Sequence, residues 1–103
     1  MPFGVMGGQY QANGHARLIS NIIDYNMDIQ EAIDFPRSFP TEGLLSLENG
    51  YSDKIAQELY NKGHKILRPD QPIGGAQAII YDIKNDILIG GSDPRKDGCA
   101  LGY

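Results

Sequence analysis

Three pairs of adjacent glycines punctuate this chain: Gly7-Gly8, Gly74-Gly75 and Gly90-Gly91. A residue without a Cβ adopts backbone angles that other residues avoid, and lets neighbouring atoms approach closely. The pairs therefore mark three places where the backbone is asked to do something unusual. The first pair is the most telling because it separates two periodicities. Before it, Pro2-Phe3-Gly4-Val5-Met6 reads as a buried strand. After it, Leu18, Ile19, Ile22 and Ile23 recur at helical spacing, with Ala12 and Ala16 extending that face. Such a start does not read as a loose, polar chain terminus.

The first helix is predicted to end near Tyr25-Asn26. Asp28 then takes an N-cap position, with Glu31 three residues on as a capping box. Ile29, Ala32 and Ile33 give the second, short helix its apolar face, and Pro36 stops it. Leu45 and Leu47 alternate with Ser46 and Glu48, a short strand, and Asn49-Gly50 is a turn. Ser52 caps a third helix with Ile55, Ala56, Leu59 and Tyr60 on one face and Gly63 at its C′ position. Lys65 to Leu67 forms a small strand, and Pro69 and Pro72 bracket a loop. Ala76 to Ile83 and Ile87 to Ile89, joined by Lys84-Asn85-Asp86, read as a β-hairpin. The order β-α-α-β-α-β-β-β makes an α+β pattern with an antiparallel sheet.

At 103 residues and 11.3 kDa this is one small domain, or a fragment of a larger one. With 41% hydrophobic and 21% charged residues it has the make-up of a folded chain rather than a disordered one. No apolar run approaches the roughly 20 residues of a membrane helix, so no membrane partner is expected. No basic start leads into an apolar stretch, so no secretory signal is expected within it, and the compartment stays open. A net charge of -4 and a pI near 4.9, without a basic stripe, argue against nucleic acid as a partner. The single cysteine, Cys99, excludes an internal disulfide framework and a cysteine-cluster zinc site. No phosphate-binding loop or metal cluster is visible, so no cofactor is expected.

Few residues invite chemistry. Gly7-Gly8 stands between a strand and a helix. Backbone N–H groups there, next to the positive end of a helix, have the make-up of an oxyanion hole. A plain tight turn is the commoner use of Gly-Gly before a helix, and the residues alone leave both open. His15 and His64 share no acidic or cysteine neighbour at ligand spacing. His15 fits a role at the start of the first helix, and His64 the end of the third. In Ser92-Asp93-Pro94-Arg95, Asp-Pro shapes a turn, and Arg95 pairs with a carboxylate or anchors a chain end. A role for Arg95 in holding a substrate carboxylate is weaker. Cys99 has no local activator and is not read as a nucleophile. Asp28, Glu31, Asp53 and Glu58 belong to caps and solvated helix faces.

Several stretches together resemble the γ-glutamyltransferase (γ-glutamyltranspeptidase) family: Met1 to Gly8, Gly14-His15, Gln30 to Asp34, Phe35-Pro36-Arg37, Gly75 to Ile79, Gly90 to Gly98 and Ala100 to Tyr103. The opening octet looks more like the γ-glutamyltransferase-like or acylase-like branch. The resemblance implies an N-terminal nucleophile hydrolase with an αββα sandwich. In such enzymes a precursor cuts itself into large and small subunits. The new N-terminal threonine then attacks a γ-glutamyl amide such as glutathione. This chain resembles the C-terminal part of the small subunit, an α+β piece with an antiparallel sheet and about three helices. By that resemblance Gly7 and Gly8 supply the oxyanion-hole N–H groups, and the nucleophile lies outside the chain. Met6 and Gln9 stand where many transpeptidases have proline and serine, so the resemblance leaves the substrate open. Family members are cytoplasmic or exported.

Acyl transfer needs a nucleophile, a base and an oxyanion hole side by side, and this chain offers only the third. It is expected to be inactive alone. Its implied partners are the remaining large- and small-subunit segments and a γ-glutamyl small molecule, and the exposed edge of the first strand predicts self-association. The alternative is a non-catalytic α+β module.

Overall fold

The long strand foreseen near the end of the chain is the spine of the first of two units. The computed structural model describes residues 1–103. Unit one comprises Met1–Asp34 and Gly74–Tyr103, and unit two Phe35–Ile73. In unit one, β5 (Gly75–Asp82) pairs antiparallel with β1 (Phe3–Met6) on one side and β6 (Ile87–Ser92) on the other. Phe3 faces Ala78, Val5 faces Ala76, and Ala78 faces Gly91. Side chains alternate along a strand, so these residues share one face, and most of them are small.

That smallness lets a helix lie close. A Cβ on Gly91 would stand 2.8 Å from Ile33 Cδ1 and 3.1 Å from Ile29 Cγ1. Those isoleucines belong to α2 (Ile29–Asp34), whose Asp28 cap accepts the Glu31 N–H at 2.8 Å, as the sequence predicts. Ile33 is fully buried, and burying such a side chain stabilises a fold by about 1.5–3 kcal/mol. At Gly90-Gly91 it is thus the absent side chain that matters, since neither residue has a positive φ.

Helix α1 (Gln11–Ile23) buries a different stripe from the expected one. Gly14, Leu18 and Asn21 face inward, while Ala12, Ala16 and Ile23 are exposed. A hydropathy pattern misses this because two of the three buried positions are a glycine and an asparagine. Gly14 admits its neighbours, and Asn21 Nδ2 donates to the Ala32 carbonyl.

Unit two holds β2 (Ser38–Thr41), β3 (Leu44–Leu47), α3 (Asp53–Asn61) and β4 (Ile66–Leu67). Strand β2 has no counterpart in the predicted order. Pro40 argues against a strand, but β2 is an edge, where a missing N–H does no harm. Its hairpin turn, Glu42-Gly43, has φ of +50° and +77°, the geometry of a tight two-residue turn, without the Asn-Gly or Asp-Gly that advertises one. The antiparallel expectation holds for β1-β5-β6 and for β2-β3. It fails for β3-β4, which pair in parallel because α3 carries the chain back across. Ser52 Oγ caps α3 by accepting the Ile55 N–H, and Gly63 follows the C-cap at φ +100°.

One carboxylate ties the ends of this unit. Glu48 Oε2 accepts the Arg37 N–H at 2.8 Å and Oε1 the Ile73 N–H at 3.0 Å, while Arg37 Nη1 donates to the Ile73 carbonyl. In the β5–β6 turn of unit one, Asp82 accepts from Asn85 Nδ2 and from the Lys84 and Asn85 N–H groups. These bonds, the Asn85 side chain's first, hold its carboxyl below the usual range. The hydrogen bond to Asp86 pushes the Tyr81 phenol up.

Two predictions follow from these turns. Glu42 holds a left-handed conformation that asparagine adopts more readily, so Glu42→Asn should raise stability by about 0.5–1 kcal/mol in urea unfolding. Because the folded-state pKa of Asp82 is depressed, its contribution is present above the ordinary aspartate range and is lost as pH falls through the lowered value. Exchange of the Lys84 and Asn85 amides, corrected for intrinsic rate, should therefore accelerate on acidification, and Asp82→Asn should remove that acid dependence.

Candidate functional site

Strand β1 turns into α1 through Gly7, Gly8 and one 3₁₀ turn, Gly8–Tyr10. Gly7 has φ +144° and Gly8 φ +58°, angles at which a side chain is strained. The space is also closed at Gly7, where a Cβ would lie 3.2 Å from Gly74 Cα and 3.3 Å from Tyr10 Cβ. Tyr10 is buried and its ring sits among glycines. A Cβ on Gly14 would come within 2.6 Å of Tyr10 Cε1 and of Val5 Cγ1, and one on Gly74 within 2.8 Å of Tyr10 Cδ1 and 2.7 Å of the Met6 carbonyl. Around Gly8 there is open space.

The two glycines enter the local hydrogen bonding through their carbonyls. Gly7 O accepts the Tyr10 N–H at 3.1 Å, and Gly8 O accepts the Gln11 N–H. Their own N–H groups are donors in none of the backbone bonds of the turns and loops. Both residues are exposed, at the amino end of α1, whose dipole adds partial positive charge there. Two adjacent amides in this setting suit an anionic oxygen.

The other candidates fall elsewhere. His15 does sit near the start of α1: its Nδ1 lies 2.6 Å from the Gln11 carbonyl, its Nε2 accepts the Val5 N–H at 3.2 Å, and its ring meets Phe3 at 5.5 Å between centroids. His64 is exposed just past α3 in unit two, its N–H bonded to the Leu59 carbonyl. Cys99 is exposed. Asp53 opens α3 and pairs with Arg68 at 3.1 Å on the surface, a contact of small worth.

Arg95 anchors chain ends rather than lying open to a substrate. Its Nη1 donates to the Ile33 carbonyl at 3.0 Å and its Nη2 to that of Asp34 at 3.4 Å, at the close of α2. Nη1 also meets Asp93 Oδ1 at 3.2 Å. Asp93 is completely buried. Its Oδ1 also accepts the Arg95 N–H, and its Oδ2 accepts the Ala76 N–H at 2.7 Å. Gln30, which the family resemblance includes without a role, donates its amide N–H to the Ser92 carbonyl at 2.8 Å and accepts the Ser92 N–H at 3.1 Å. A partner so distant in sequence leaves no local signal.

Residues 1–103 match the gamma-glutamyltranspeptidase family throughout. The acylase ACY 1 proenzyme of Pseudomonas sp. strain V22 is 38% identical over 80 residues, which are 78% of this chain and 14% of that protein. The glutathione hydrolase-like YwrD proenzyme of Bacillus subtilis is 34% identical, over 97% of this chain and 21% of its own length. The crystal structure of cephalosporin acylase from Bacillus halodurans superposes with a TM-score of 0.87 at 37% identity, covering 99% of this chain and 20% of that one. The chain thus spans between 14% and 21% of these relatives' length. Its α+β fold, with three helices and an antiparallel sheet, is that of the matching part of these N-terminal nucleophile hydrolases.

The buried carboxylate gives a direct test of what holds this region. Removing one partner of a buried ionic network leaves the others uncompensated, so Asp93→Ala should cost about 3–5 kcal/mol in urea unfolding.

Proposed function

The chain belongs to the gamma-glutamyltranspeptidase family, and from that premise we propose that it is one segment of an enzyme that transfers or hydrolyses γ-glutamyl groups. The amides of Gly7 and Gly8 form the oxyanion hole. The observation that carries this is the pair of neighbouring N–H groups at the amino end of α1, spent on no backbone bond of the surrounding loops.

The chemistry follows from that placement. A threonine hydroxyl, supplied by polypeptide other than these residues, attacks the γ-carbonyl carbon of a glutathione-type amide. A C–O bond forms, and the carbonyl π pair moves onto oxygen. The two amides hold that alkoxide where it develops, which is the interaction that lowers the barrier. Collapse breaks the C–N bond, the amine leaves with a proton, and an acyl ester remains. Water or an amino-group acceptor then attacks the ester, and the same amides hold the second oxyanion. Glycine suits both places because the backbone there holds φ of +144° and +58°. The partners this reading requires are the remaining large- and small-subunit segments. A second copy of the chain is a further partner for the outer edge of β1, at the positions the His15 ring does not occupy.

The pure chain should turn over no γ-glutamyl-p-nitroanilide. Co-expression with a threonine-led segment and a large-subunit segment should restore turnover, and Gly7→Ala in that assembly, which puts a Cβ 3.2 Å from Gly74 Cα and must shift the loop, should lower kcat by about 10²-fold. Turnover by the chain alone, abolished by changing one of its own residues, would overturn the inactive-segment reading. An assembled enzyme indifferent to Gly7→Ala would remove the oxyanion role.

A further inference from the structure

We propose that His15 is a positioning residue, a staple that closes the loop from Val5 to Gln11 and so sets the direction of the Gly7 and Gly8 amides. The inference rests on reading those amides as the oxyanion donors. It is argued from three contacts of one ring. Nδ1 lies 2.6 Å from the Gln11 carbonyl, at the residue where the loop ends. Nε2 lies 3.2 Å from the Val5 nitrogen, where the loop begins. The face of the ring tilts against Phe3, with centroids 5.5 Å apart.

Val5 needs this bond. The Ile79 N–H donates to the Pro2 carbonyl, which makes Phe3–Ala78 a non-hydrogen-bonded pair of the ladder. The alternation of antiparallel pairing then makes Val5–Ala76 another. The Val5 N–H therefore points away from β5, off the free edge of the sheet, and the imidazole takes the place of a neighbouring strand. Two glycines inside a loop resist bending poorly. A fixed Val5 at one end and a fixed Gln11 at the other leave them little freedom, with Tyr10 seated beneath.

The carbonyl of Gln11 only accepts and the N–H of Val5 only donates, so the two bonds together fit the tautomer with its proton on Nδ1 and its lone pair on Nε2. Protonating Nε2 would set two N–H groups against each other and release β1 from the staple. β1 and the 3₁₀ turn carry no charged side chain, Tyr10 being their one titratable group. Arg17 is the one charged residue on α1, and α2 meets α1 near its far end, through Asn21 and Ala32.

The test uses the isolated 103-residue chain, labelled with ¹⁵N, and needs no activity. At neutral pH the ring nitrogens should show the Nδ1–H tautomer. As acid protonates the ring, the amide signals of Val5, Gly7 and Gly8 should move together with it, and the protection of the Val5 amide, corrected for intrinsic exchange, should fall about tenfold. His15→Gln keeps an acceptor within reach of Val5 but does not titrate. Its Gly7 and Gly8 signals should lie near the neutral wild-type positions and stay there. His15→Leu should shift them at every pH, and should it fail to fold, the wild-type titration and His15→Gln still decide. Stationary Gly7 and Gly8 signals while the ring titrates, or an Nε2–H tautomer at neutral pH, would overturn the proposal. An assembled enzyme indifferent to Gly7→Ala would remove the oxyanion reading and leave the staple standing, so the two can fail separately.

Discussion

A single carboxylate with no exposure to solvent organises the larger unit. Asp93 binds the Ala76 amide near the start of β5 and the amide and guanidinium of Arg95 just past β6, and Arg95 reaches on to the last carbonyls of α2. Burying such a charge is costly, and only pairing together with hydrogen bonds offsets it. The arrangement that satisfies Asp93 therefore also dictates where β5 starts and where α2 ends. The start of β5 fixes Gly74, whose Cα would lie 3.2 Å from a Cβ on Gly7. From the carboxylate to the candidate amides is thus a short run of packed backbone.

Both rims of the three-stranded sheet use side chains in place of strands. On β1 the His15 ring accepts the outward Val5 N–H. On β6 the Gln30 amide both donates to and accepts from Ser92, as a neighbouring peptide would. Free strand edges invite unplanned pairing, and each of these residues occupies one site on an edge. Each also ties a helix to the sheet it covers, α1 through His15 and α2 through Gln30. The face between the helices and the strands is lined by Ala76, Ala78 and Gly91, so the helices settle close without long side chains intervening.

Local chemistry wrote much of the secondary structure. Asp28 and Ser52 are caps because a short oxygen acceptor satisfies the first free amides of a helix. Gly63 ends α3 because the chain there needs a positive φ. The final hairpin is visible from its β-branched strands and its Asp-Asn-rich turn. Where the pattern misleads, the cause is a tertiary one. Pro40 survives in β2 because that strand is an edge. Glu42 sits in a left-handed turn because the hairpin it joins imposes it. The buried stripe of α1 runs through Gly14 and Asn21, residues whose inward place depends on Tyr10, Val5 and Ala32 being there to meet them.

The candidate site divides along the same line. The amino-acid sequence alone determined that a strand runs into a helix through two glycines, and it carried enough motifs to place the chain in its family, because backbone freedom and helix capping are properties of residues and their immediate neighbours. Only the tertiary structure decided that Arg95 serves a buried carboxylate, that His15 spans the loop, and that the Gly7 and Gly8 carbonyls are engaged while their amides donate to no backbone group of the turns and loops. Those outcomes depend on which rotamers and backbone angles bring the groups together, and on what packs around them, and hydrogen-bond partners are settled by proximity in space.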